Sequence, residues 1–307
     1  MFLELKNTAI GYKTPLIKGV ETSLDLGDIC LLIGNNGVGK TTLIKSILHQ
    51  ISTLKGQITL GDKNIKNLSN KQIAEQIAVV FSKAPIPANF TLIDLISLGK
   101  YIHYPYYFEL NSADKKEVDE IIENLNLTQY RNFSLNQLSD GNLQKAFIGR
   151  ALAQNSPMII LDEPTTHLDE ENKIIILKLL RKLAKNQNKC ILFSSHDWRL
   201  SKEFADKMWF IYNEKLEAGI TEDLLLKHDE LLNPQLFHID EEFSPPHISA
   251  PSLEKEMLYS FLQKNFSKNL SEYKFEWKGT FWLISNHNFQ RNCDSFADIS
   301  RLIKNLH

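Results

Sequence analysis

Two kinds of apolar spacing alternate along the chain. Ile29 to Ile33, Ile77 to Phe81, Met158 to Leu161 and Cys190 to Phe193 are short unbroken apolar runs, as expected of strands covered on both faces in a parallel sheet. Residues 2 to 10 alternate instead, and with a second extended stretch from Val20 to Leu26 they predict a β-rich opening. Gly56 to Leu60, followed by Gly61 and Asp62, predicts a hairpin returning to the same sheet. Helical spacing fills the intervals. Lys40 to about His49 follows a glycine-rich turn, and Thr91 opens a helix with Leu92, Ile93, Leu95, Ile96 and Leu98. Asp114 to Leu125 puts Val118, Ile121, Ile122 and Leu125 on one face. A later helix carries Ile174, Ile175, Leu177, Leu179, Leu180 and Leu183. Strands alternating with helices predict an α/β class with a doubly wound parallel core. Residues 83 to 155 are a helical insert between its strands.

Past residue 238 the pattern changes. Residues 239 to 252 are acidic and proline-rich without periodicity and read as a linker after a first domain spanning 1 to 238. Residues 253 to 307 form a small α+β tail, with helices at Leu253 to Phe266 and Ser295 to Leu306 and strands at Tyr273 to Trp277 and Thr280 to Ser285. Such a tail is small for an independent core, which favours docking on the main domain, and it carries no motif that assigns it a role.

Composition narrows the function classes. With 307 residues, 43% hydrophobic, 23% charged and a net charge of −2, the chain is an ordinary globular sequence lacking the basic excess of a nucleic-acid binder. The N-terminus has no charged head leading into an apolar run, so no secretory signal is expected. No window approaches the roughly 18 consecutive apolar residues of a membrane span, so work at a membrane would be that of a peripheral subunit. Cys30, Cys190 and Cys293 are far apart and without metal-ligand spacing, as in a reduced, cytosolic setting.

Candidate chemistry sits at the ends of the apolar runs. Ile29 to Thr42 reads ICLLIGNNGVGKTT, a buried strand, a turn and a helix start. That order fits the phosphate loop, in which the backbone of Gly34, Asn35, Asn36, Gly37, Val38, Gly39, Lys40, Thr41 and Thr42 cradles a di- or triphosphate. Lys40 would reach the β- and γ-phosphates, and Thr41 would place its hydroxyl on Mg²⁺. Asp162 and Glu163 end the run MIIL, where Asp162 suits the metal side and Glu163 the activation of water. Ser194, Ser195, His196 and Asp197 follow the next strand, and a histidine there can hydrogen-bond the γ-phosphate and orient water. Ser139 and Gly141 open a second helix whose start can accept phosphate. One nucleotide does not need two such helix starts. A head-to-tail pair of chains, each completing the other's site, uses both.

These residues resemble an ATP-binding cassette (ABC) ATPase over about residues 2 to 230. GNNGVGKT resembles its Walker A segment, LSDGN its signature, MIILDEP its Walker B, THLD its D-loop with Asp169, and His196 its switch histidine. Tyr12 stands where the family stacks an aromatic ring on adenine. FTLIDLISLGKYIHYP and ALAQNSPMIILDEPTTHLD are similar to the importer branch for iron–siderophore, haem and cobalamin. The resemblance implies ATP and Mg²⁺ as ligands, a homodimer in the ATP-bound state, integral-membrane permease subunits and, through them, a substrate-binding protein. It also implies a peripheral position on the cytoplasmic face of the inner membrane. Two residues depart from the family pattern: Ser82 replaces a glutamine that touches Mg²⁺ or water, and Asp140 replaces the first signature glycine. Ser82 remains a candidate metal contact. The two departures keep open a low-turnover, regulatory or structural ATP-binding subunit, and a soluble cassette protein outside transport is a third reading.

Overall fold

The computed structural model describes residues 1–82, 89–104, 109–166, 168–195, 198–228, 243–266 and 269–305. It divides into two units, Met1–Leu224 and Leu225–His307.

The first unit holds two sheets. Strands β1 (Leu3–Gly11) and β2 (Pro15–Leu24) pair antiparallel, and β1 pairs on its other side with β4 (Lys55–Leu60), which turns back into β5 (Lys63–Asn64). The second strand thus begins at Pro15, before the expected Val20, because Tyr12 to Thr14 make a tight turn. The larger sheet contains β3 (Ile29–Gly34), β6 (Ile77–Val80), β7 (Met158–Leu161), β8 (Cys190–Ser194), β9 (Lys207–Tyr212) and β10 (Lys215–Ile220), in the order β10-β9-β3-β8-β7-β6. All pairings from β9 to β6 are parallel, and only β10 is antiparallel. Every residue of β7 and β8 is buried, which is why these strands read as continuous apolar runs. The β9–β10 pair had no counterpart in the sequence reading.

Helices cross between these strands. Helix α1 (Lys40–Ile47) follows β3, and α2 (Asn70–Gln76) precedes β6. Next come α3 (Leu92–Ser97), α4 (Ser112–Asn124) and α5 (Asp140–Ala153), the expected helical insert. Thr91 and Asp94 form a reciprocal cap at the start of α3, with Thr91 N–H donating to Asp94 at 2.9 Å. α6 (Glu170–Gln187) buries Ile176, Leu177, Leu180 and Leu183, whereas Ile175 is exposed. α7 (Trp198–Ser201) and α8 (Thr221–Lys227) are short.

The second unit has a sheet of its own, ordered β11 (His247–Ser249), β12 (Lys274–Trp277), β13 (Trp282–Ser285), β14 (Gln290–Cys293), with helices α9 (Ser252–Asn265) and α10 (Phe296–Asn305). β11 runs parallel to β12, and the remaining pairs are antiparallel. Here the structure departs from the sequence reading. Phe243 is buried in this unit's core and His247–Ser249 is an edge strand, so much of the stretch read as linker belongs to the fold, while 239–242 lie outside the described residues. Pro245 and Pro246 mask the strand in the sequence; ahead of an edge strand they cost no ladder hydrogen bond. The unit also has its own buried cluster, including Leu258, Leu262, Phe275, Trp282, Ile284, Ile299 and Ile303. Large aromatic rings let so small a unit fill a core.

Candidate functional site

The phosphate loop is shaped by three glycines with positive φ, 152° at Gly34, 81° at Gly37 and 112° at Gly39. At Gly34 a side chain is excluded on spatial grounds too, since a Cβ would meet the Ile211 carbonyl oxygen at 2.7 Å. Gly39 is the residue before α1 and offers no side-chain cap, and the first turn of α1 holds no acidic residue. By contrast Ser69, Thr91, Ser139 and Asp169 cap α2, α3, α5 and α6 through their side chains. The start of α1 therefore keeps its amide groups and its positive dipole end for an anion.

Lys40 is 6% exposed, and its Nζ donates to the carbonyl oxygens of Gly34 at 2.7 Å and Asn35 at 3.1 Å. Burial lowers its pKa, opposed by the carboxylates of Glu163 and Asp162. The next residue, Thr41, donates from Oγ1 to Asp162 Oδ2 at 3.0 Å. Asp162, 5% exposed just beyond β7, takes a second hydrogen bond on Oδ1 from Ser194 Oγ at 2.7 Å. Ser194 Oγ accepts in turn from the Glu163 N–H at 2.9 Å. Glu163 has a φ of 57°, a left-handed backbone costly for a residue with a side chain, and its Oε2 accepts from Thr166 Oγ1 at 3.3 Å. Lys40, Thr41, Asp162 and Glu163 thus meet at the C-terminal end of the parallel strands, where open α/β sheets bind ligands. Hydroxyl and carboxylate oxygens suit Mg²⁺. Among the described residues no cluster of three or more His, Cys, Asp or Glu side chains is placed to hold a metal ion by itself.

The other expected residues fall in separate places. Ser82 lies two residues past β6 and is exposed; the nearby Asp162 N–H donates to the Val80 carbonyl at 2.8 Å. Tyr12 is 63% exposed in the turn between β1 and β2. Ser139 and Asp140 are exposed at the start of α5, where Ser139 Oγ accepts from Asn142 N–H at 3.4 Å. Gly141 is buried, and a methyl group on it would come within 3.0 Å of the Asn172 carboxamide. Asp169 caps α6 by accepting from Asn172 N–H at 2.8 Å, and Asn172 Nδ2 returns a bond to it at 3.2 Å. Asn172 therefore joins the Asp169 turn to the start of α5. His196 lies outside the described residues. Sequence reasoning gave no role to Ser194 or Asn172: a serine closing an apolar strand and an asparagine in a helix's first turn carry no local signal.

The ABC transporter family model matches residues 17–166. An uncharacterized ABC transporter ATP-binding protein of Methanocaldococcus jannaschii is 36% identical over 233 residues, covering 75% of this chain and 80% of that one. The iron(3+)-hydroxamate import ATP-binding protein of Bacillus subtilis is 31% identical over 255 residues, 81% of this chain and 93% of that one. Among solved structures, an inward-facing putative metal-chelate type ABC transporter aligns with a TM-score of 0.65 at 27% identity, covering 73% of this chain and 85% of that one.

Proposed function

This chain belongs to the ABC transporter family and carries its ATPase cassette; on that premise we propose that it is the energy-coupling subunit of an importer for metal chelates of the iron–siderophore, haem or cobalamin type. Support for the substrate class comes from the hydroxamate-import relative and the metal-chelate type structure. The observation that carries the enzymatic reading is the continuous contact from Thr41 through Asp162 and Ser194 to Glu163 at the mouth of the phosphate loop.

In this reading the triphosphate lies against the uncapped start of α1, with Lys40 balancing the β- and γ-phosphate charge. Thr41 and Asp162 hold Mg²⁺, with Ser82 as a further candidate contact, and the ion neutralises phosphate charge when bound. Glu163 takes the proton of the attacking water, and His196 orients that water. Tyr12 stacks on adenine. Ser139 and Gly141, on α5, serve the nucleotide of a second copy, and Asp169 lies at the same contact. The working unit is then an ATP-bound homodimer beneath a pair of permease subunits on the cytoplasmic face of the membrane, fed by a substrate-binding protein. No helix among the described residues is long and apolar enough to cross a membrane itself.

Glu163→Gln tests the assignment. Turnover should fall by about 10²- to 10⁴-fold, ATP affinity should stay within about threefold, and a dimer should accumulate with ATP. Undiminished phosphate release would remove Glu163 from its role. A second reading, a regulatory subunit of low turnover, draws on Ser82 and Asp140. Asp140 is exposed in the first turn of α5, where a carboxylate favours the helix dipole, so its presence there has a structural reason independent of catalysis. Phosphate release measured with and without the permease separates the two readings.

A further inference from the structure

The two halves of the candidate site come from strands that are not neighbours. β8 runs between β3 and β7, and its last residue, Ser194, is completely buried. A hydroxyl has one proton to give. Ser194 gives it to Asp162 Oδ1 at 2.7 Å, which leaves its lone pairs to accept the Glu163 N–H at 2.9 Å. The result is a directional chain from amide to hydroxyl to carboxylate, in which each bond polarises the next.

Two features show what this chain holds in place. Glu163 sits at a φ of 57°, a conformation that persists only where its surroundings enforce it, and its N–H is anchored on Ser194. Asp162 is held from both sides, but its Thr41 contact uses the hydroxyl that the proposed function assigns to the metal. The Ser194 contact does not have to be exchanged when nucleotide arrives.

We propose that Ser194 is a positioning residue for hydrolysis: it fixes the Asp162 carboxylate and the left-handed backbone of Glu163, so that both acids are set before the nucleotide binds. It touches neither nucleotide nor water. The proposal rests on the reading of Asp162 and Glu163 given above.

The test uses the full chain carrying Ser194→Ala and, alongside it, Ser194→Cys, which keeps the side chain but replaces the hydroxyl by a weak donor and acceptor. Both should lose about 10- to 100-fold in kcat, the scale of a small misplacement at a reacting centre, with the KM for ATP within about threefold. Hydrogen exchange of the Glu163 amide, read without nucleotide, should quicken at least about tenfold as its partner is lost, while amides in the middle of β3 and β8 keep their protection. If one variant fails to fold, the other remains decisive. A kcat within twofold of the unaltered protein, an unchanged Glu163 exchange rate, or a parallel loss of turnover and ATP affinity would each overturn the proposal. Full activity in Glu163→Gln would instead overturn the reading beneath it, so the two failures are distinguishable.

Discussion

Lys40 lies folded onto the carbonyls of Gly34 and Asn35, and burial holds its pKa below the ordinary 10.5. A bound triphosphate favours the ammonium form, so in the alkaline range between the two pKa values binding takes up a proton. ATP affinity should therefore be level across neutrality and decline on the alkaline side, starting below pH 10.5. Equilibrium titration from pH 7 upward measures this, and Lys40→Arg, which stays charged, should bind more weakly without the decline. A decline surviving in Lys40→Arg would assign the titration to another group. Gly141 gives a second expectation at this scale. A methyl group there presses on the Asn172 carboxamide at 3.0 Å, and Asn172 is bonded twice to Asp169. Gly141→Ala should leave ATP affinity of the single chain within about twofold, yet weaken ATP-driven dimerisation of the Glu163→Gln protein by at least about tenfold, the order of one disturbed contact at a packed interface. Sedimentation with saturating ATP reads the difference. The loop glycines, Lys40, Thr41 and the Asp162–Glu163 pair were legible because their chemistry demands fixed residue types at fixed spacing. Ser194 was not, because its role arises only from which strands lie side by side.

Among the elements, helix starts divide by use. α2, α3, α5 and α6 close their first turns with a serine, threonine or aspartate, whereas α1 leaves its start open behind Gly39. Caps are visible in sequence as local side-chain chemistry, and so were most strand positions, since a covered parallel strand must be apolar throughout. Order within the sheet was not visible. β3, β7 and β8 look alike as apolar runs, and no local pattern says that β8 lies in the middle. In the β9–β10 pair, β9 does carry an unbroken apolar run, Met208 to Tyr212, that the sequence reading left unassigned, whereas the exposed and half-buried positions of β10 give it little apolar pattern. Ser82, just beyond the edge strand β6, is the element-scale departure with a functional test. Ser82→Gln should raise turnover in the presence of the permease, because the longer amide reaches further into the site. An unchanged rate and unchanged stimulation would remove Ser82 from coupling.

For the whole molecule, the second unit changes the reading most. The sequence suggested a tail small for an independent core, but buried Phe243, Phe275 and Trp282 with the β11–α9–β12 crossover give it one. A fragment from residue 243 to 305 should fold by itself, melting cooperatively with a buried signal from Trp282. A featureless melt would return this unit to dependence on the rest of the chain. In the first unit, β8 shares a ladder with β3 on one side and β7 on the other, Cys30 facing Leu192 and Ile160 facing Leu192 as well. The strand leading to the lysine and the strand leading to the acids are thus each registered against the same middle strand, so the relative height of the two ends is set by a pair of parallel ladders.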